Sequence, residues 1–106
     1  MAKNLQTVAR RALTPCGVTD AFRFADGSTI RDLAELRYAV ATKSAYLVAH
    51  HRAQYHPWVL NVLGDPALAR KVERLADRRG AQPEPYRQEL IVVLDERIGK
   101  LRTRVV

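Results

Sequence analysis

His56-Pro57-Trp58-Val59-Leu60-Asn61-Val62-Leu63-Gly64-Asp65-Pro66-Ala67-Leu68-Ala69 is the stretch that decides the fold, because one helix stops and another starts inside it. Pro57 opens a helix without loss, since the N–H it lacks has no partner in a first turn. Gly64 supplies the left-handed residue that closes one. Asp65 then offers a carboxylate to the free N–H groups of the next helix, with Pro66 at its first position. Trp58, Val59, Val62 and Leu63 recur at helical spacing, so the short first helix is expected to bury the only tryptophan.

Downstream, the helix opened by Asp65 carries Leu68, Val72, Leu75 and Ala76 inward and closes at Gly80. Residues 80–85 then read as a Pro-rich connector, Gln82-Pro83-Glu84-Pro85. The last helix is expected from about Pro85 to Arg102, with Tyr86, Leu90, Leu94, Ile98 and Leu101 on one stripe, and Ile91 and Val93 beside it. An apolar face that wide points to the centre of a bundle or to an oligomer interface.

Upstream, Leu5, Val8, Ala9 and Ala12 mark a short helix over residues 3–12, broken by Leu13-Thr14-Pro15-Cys16-Gly17. Residues 1–19 thus form an N-terminal helix and turn. Phe22-Arg23-Phe24, Asp26-Gly27 and Ser28-Thr29-Ile30 read as a β-hairpin within residues 20–31, too small to stand alone and so expected to lean on helices. Asp32-Leu33-Ala34-Glu35 has the form of a capping box, with Glu35 reaching back to the Asp32 N–H. Leu33, Leu36, Ala39 and Val40 follow as the buried stripe of a helix ending near Lys43-Ser44. From Ser44 to Arg52 the pattern fits helix or strand, and its alanines favour helix. The expectation is a mainly α, single basic domain over residues 1–106: a bundle of about five helices with one short hairpin.

Two blocks resemble a known pattern when read together: Phe22-x-Phe24-x-Asp26-Gly27-x-x-Ile30-x-x-Leu33-x-Glu35-Leu36, and Trp58-Val59 followed by Val62-Leu63-Gly64-Asp65 and Leu68-Ala69. They are similar to a family of small prokaryotic domains, found in archaea and bacteria, that share an F-x-F-x-D-G strand-turn and a W-[IV]…[VL]-G-D…L-A helix pair. The resemblance spans roughly residues 22–70. Family members carry a His-containing segment and an Asn-Asp-Phe or similar before the tryptophan, where this chain reads Tyr46-Leu47-Val48 and Ala53-Gln54-Tyr55. No activity is established for that family, so the resemblance implies helices plus a hairpin and transfers no catalytic residue.

Charge is the bulk property with a functional meaning. Eighteen basic groups, fourteen of them arginine, stand against eleven acidic ones, for a net charge of +7 and a pI near 10.2. Such a surface attracts polyanions. An arginine-biased composition would raise the charge without any function, so the placement of the cations matters more than their number. Twelve of them fall in three zones: Lys3, Arg10 and Arg11; Arg70, Lys71, Arg74, Arg78 and Arg79; and Arg97, Lys100, Arg102 and Arg104. Arg70, Arg74 and Arg78 are spaced i, i+4, i+8 and project from one helix face, where guanidinium forks can bond phosphates in pairs. The second and third zones are the candidate nucleic-acid contacts. Exposed Tyr38, Tyr46 or Tyr55 would add base stacking if the ligand were single-stranded.

Other chemistry finds little support in the sequence. His50, His51 and His56 lack the spacing of a shared helix face and have no carboxylate or cysteine near them, so they read as surface or cap histidines, not metal ligands. No cofactor is expected. The carboxylates read as caps, turn residues and ion-pair partners, leaving no acid/base pair, and there is no phosphate-binding glycine loop or nucleophile elbow. Cys16, the only cysteine, sits in a turn with no neighbouring base, so no catalytic residue is assigned. The absence of an apolar leader or of a run of ~20 apolar residues points to the cytoplasm, without membrane attachment. The functional expectation is a non-enzymatic module that contacts RNA or DNA as an accessory of a larger nucleoprotein particle. The alternative is a protein-interaction or homo-oligomer module using the apolar C-terminal helix.

Overall fold

In the computed structural model, which describes residues 4–104, the helix punctuation at Gly64-Asp65 stands where the sequence puts it. The order is α1 (Leu5–Ala12), a single 3-10 turn (Val18–Asp20), β1 (Phe22–Arg23), β2 (Thr29–Ile30), α2 (Leu33–Thr42), α3 (Ala45–His50), α4 (Tyr55–Trp58) running on as a π-helix (Val59–Leu63), α5 (Pro66–Arg79) and α6 (Pro83–Arg102). Lys3, grouped above with Arg10 and Arg11, lies outside the described residues. The architecture is a small helical bundle with one antiparallel hairpin, and among the described residues no helix is long and apolar enough to cross a membrane.

α4 starts two residues before Pro57, which takes the third helical position; a first turn tolerates this because none of its N–H groups needs an intrahelical acceptor. Gly64 closes the π segment at φ +70°. The site is doubly selective for glycine, since a Cβ there would also come within 2.9 Å of the Arg11 Cδ. Arg11 is held against that helix end, donating from Nε to the Val62 carbonyl (2.9 Å) and from Nη2 to the Asn61 carbonyl (2.8 Å). It therefore serves as a C-terminal cap delivered from α1. Asp65 accepts from the Leu68 N–H (3.1 Å), capping α5 as expected.

The hairpin pairs Phe22 with Ile30 and Arg23 with Thr29. Its capping box is shifted by one residue: Asp32 accepts from Glu35 N–H (2.8 Å), but Glu35 reaches the Arg31 N–H (2.7 Å), not that of Asp32. Phe22, Phe24 and Ile30 are buried, and the two phenylalanines lean on an aromatic wall of Tyr55, Trp58 and His51. His51 corrects the surface reading of the histidines, because its ring is only 5% exposed. Its Nε2 accepts the Ala25 N–H at 2.9 Å while Nδ1 faces the Gln54 Oε1, an arrangement that requires the neutral tautomer protonated on Nδ1. The other two histidines are exposed (His50) or half-buried (His56). Tyr55 is likewise buried, its hydroxyl donating to the Val48 carbonyl (2.7 Å), so it is not available for stacking on a ligand.

α6 is the axis of the bundle, packing against α1, α2, α3 and α5. Twenty residues give it a length of about 30 Å, most of the 36 Å longest dimension of the molecule. It begins at Pro83, so the connector is shorter than the 80–85 expected: Pro83 and Pro85 both fit within the first helical turn, where their missing N–H groups cost nothing. Gly80 permits the tight entry, since a Cβ there would meet the Ala76 carbonyl at 2.4 Å and the Arg52 Cδ at 2.5 Å. Tyr86, Leu90, Leu94, Ile98 and Leu101 are all buried inside the monomer, and Val93 is half-buried. The wide apolar face is therefore the centre of the bundle, which removes it as a free docking face.

Candidate nucleic-acid interface

Two rows of side chains on α6 establish where the basic residues lie. Arg37 of α2 grips Asp95 with two hydrogen bonds (2.7 and 3.1 Å), and Arg87 donates to the Ala41 and Lys43 carbonyls at the end of α2 (3.2 Å each). Positions 87, 91 and 95 therefore face α2. On the other row, Glu89 meets Arg78 (3.3 Å) and Arg79 (3.1 Å), and Arg97 meets Asp65 (2.8 Å). Positions 89, 93 and 97 thus face α5. The two rows are offset by two residues, about 200° around a helix, so α2 and α5 flank α6 on opposite sides. The contacts also fix direction: residue 65 lies against 97 and residues 78–79 against 89, so α5 and α6 run antiparallel.

This geometry brings the second and third basic zones together. Lys100, one turn beyond Arg97, extends the α5-facing side of α6 past the N-terminus of α5, whereas exposed Arg104 follows the end of the helix and lies in a cleft with Asn4, Leu5 and Gln6 at the start of α1. Arg70, Lys71 and Arg74 are exposed on the outer face of α5, and none is within ion-pair distance of a carboxylate among the described residues. Arg78 and Arg79 share Glu89, an exposed arrangement worth no more than about 1 kcal/mol and open to exchange for a phosphate. Exposed Glu73, Asp77 and Glu96 border the strip, but cations outnumber acids along it. Arg102, five residues after Arg97, points about 140° away and does not join.

Arg97 has a different role from the one its place in the basic run suggests. Its side chain is 10% exposed and makes two 2.8 Å hydrogen bonds to the two oxygens of Asp65, which is fully buried. Sequence reasoning grouped it with Lys100 because both are basic; the signal for its real role was its i, i+4 spacing from Val93 and Leu101, which puts it at the inner edge of the helix. It leaves the set of phosphate contacts and becomes the clamp that joins the two basic segments.

Elsewhere the surface offers less. A cleft of about 580 Å³ is lined by Arg10, Arg11, Thr14, Cys16, Asp20 and Asn61. Burial, then the Asp20 carboxylate, push the Cys16 thiol up from its ordinary value, which keeps it protonated and weakly nucleophilic. His56 and Glu73 (3.0 Å) share a smaller cleft with Arg52 and Asp77. Among the described residues, no three His, Cys, Asp or Glu side chains gather into a set that could hold a metal ion. Compared with known proteins, the chain matches no family model, no curated protein and no solved structure.

Proposed function

We propose that the protein is a small, non-enzymatic basic module that binds nucleic acid, RNA or DNA, through the strip formed by α5 and the end of α6, as an accessory of a larger nucleoprotein particle in the cytoplasm. The observation that carries this reading is the unpaired state of Arg70, Lys71 and Arg74. Most carboxylates of the fold serve as caps or ion-pair partners elsewhere, and these three cations face solvent on consecutive turns of one helix. Arginines in such a row match the repeat of a phosphate backbone and gain affinity by releasing its counterions. Lys100 lengthens the row, with Arg78 and Arg79 available at its other end and Arg104 a further exposed cation beside the start of α1.

The test is binding of the full chain to mixed-sequence RNA and DNA at low and near-physiological salt, beside the variant Arg70→Glu, Arg74→Glu and Arg78→Glu. The expected result is binding that weakens with salt and is lost in the variant while its circular dichroism is unchanged. Equal binding by wild type and variant, or none at low salt, would refute the reading.

A further inference from the structure

We infer that the nucleic acid held by this strip is a DNA duplex, with α5 entering the major groove and the last turn of α6 resting on the phosphates beside it. The inference rests on the nucleic-acid reading above and names its ligand class. Single strands are gripped by aromatic side chains on which bases stack, beside cations that follow the backbone. Of the four tyrosines, two phenylalanines and one tryptophan in the chain, only Tyr38 and Tyr46 are exposed, at 69% and 80%. Both belong to the wrong flank. Tyr38 is on α2, which packs against the 87/91/95 row of α6, opposite the row that faces α5. Tyr46 follows closely on Lys43, whose carbonyl receives Arg87 on that same row. The basic strip thus carries no exposed aromatic ring, and a ligand held there is held by its backbone.

The shape of α5 then separates the duplexes. Its first turns expose Pro66, Ala67, Arg70, Lys71, Glu73 and Arg74, small residues at the tip followed by three cations and one carboxylate, and that carboxylate is turned to His56 at 3.0 Å. The carboxylate at its N-terminus is turned inward and neutralised by Arg97, so nothing acidic meets an approaching phosphate there. A helix of this kind fits the ~12 Å major groove of B-DNA, whereas the major groove of an RNA duplex is too deep and narrow to admit it. α5 spans about 21 Å, and Lys100 continues beyond its N-terminal end to reach the flanking backbone.

Arg70, Lys71, Arg74 and Lys100 are the contacts, which for B-DNA gives a slope of log affinity against log salt of about −3.6, and about −0.9 once three are lost. The experiment titrates the wild-type chain against a mixed-sequence DNA duplex, the DNA single strand of the same sequence and the matching RNA duplex across a salt series. It then repeats the DNA duplex series with Arg70→Gln, Lys71→Gln and Arg74→Gln combined. At least tenfold preference for the DNA duplex over both other ligands, with the slope falling as stated, is the expected result. Equal or tighter binding of the single strand or of the RNA duplex overturns the inference and leaves the nucleic-acid reading intact. An unchanged slope in the triple variant moves the duplex away from α5 and also overturns it. Absence of salt-dependent binding to all three removes the nucleic-acid reading itself, and this inference with it. The ligand comparison needs only wild-type protein, so it does not depend on how the variant folds.

Discussion

At the scale of residues, the same side-chain type does opposite jobs according to what stands beside it. Arg74 of α5 faces water and has nothing to hold; Arg97, on α6 packed against it, is folded into a pair with buried Asp65. Taking one partner from a buried pair leaves the other charged and undersolvated, a loss of about 3–5 kcal/mol. Arg97→Ala is therefore expected to lower unfolding stability by about that much in a urea titration, whereas Arg74→Ala should change it by no more than about 0.5 kcal/mol. Equal effects of the two substitutions would show that the Arg97 pair does not anchor α5 on α6. Nothing in a list of residue types separates these two arginines, since the distinction lies in a partner 32 positions away.

At the scale of elements, the hairpin is the part most dependent on its surroundings. Each strand is two residues long, too short to persist in water without support. Support comes from the aromatic wall and from the bond between the Ala25 N–H and His51. His51→Phe preserves an aromatic ring in the packing but removes the acceptor. It is expected to cost about 1 kcal/mol, and in hydrogen exchange the Ala25 amide should lose protection while the amides of α5 and α6 keep theirs. Uniform loss across all elements would mean that the hairpin is not a separable unit. The hairpin was legible from Asp26-Gly27 and from the alternation at Phe22 and Phe24. The role of His51 was not: a histidine at the end of a helix pattern gives no sign of whether it faces water or a strand folded far from it in sequence.

At the scale of the whole molecule, stability should bend down at both ends of the pH range. Burial pushes the phenols of Tyr55 and Tyr86 far above their ordinary value, so in the fold they stay neutral while in the unfolded chain they ionise near pH 10. The unfolded state then binds fewer protons, and stability is expected to be full below pH 10 and to fall as pH rises beyond it. The acid side has the opposite cause. Hydrogen bonds from Lys43 and Ser28 hold the Asp26 carboxyl, and those from Arg37 hold that of Asp95, below the usual carboxylate range. Their contribution is present above about pH 4 and is lost as pH falls through the lower values of the fold. Thermal melts from pH 3 to pH 11 would check both limbs; a flat profile above pH 10 would count against burial of the two phenols in solution.

What the sequence determined by itself was local: the caps at Asp32 and Asp65, the left-handed stop at Gly64, the turn at Asp26-Gly27, and the stripes of α2, α5 and α6, each readable because its cause lies within a few residues. The kind of elements followed from those signals, with six helices among the described residues where about five were expected. Tertiary structure alone decided which flank of α6 each helix covers, and so everything about the candidate interface. It placed the Lys100 turn beside α5, withdrew Arg97 into a pair with Asp65, sent Arg102 to another side, buried Tyr55 and left Tyr38 on the flank away from the basic strip. The physical reason is that charge and aromaticity belong to a side chain, whereas availability depends on solvent and partners. Those are distributed by the packing of α6 against four helices, which residue spacing within one segment does not encode.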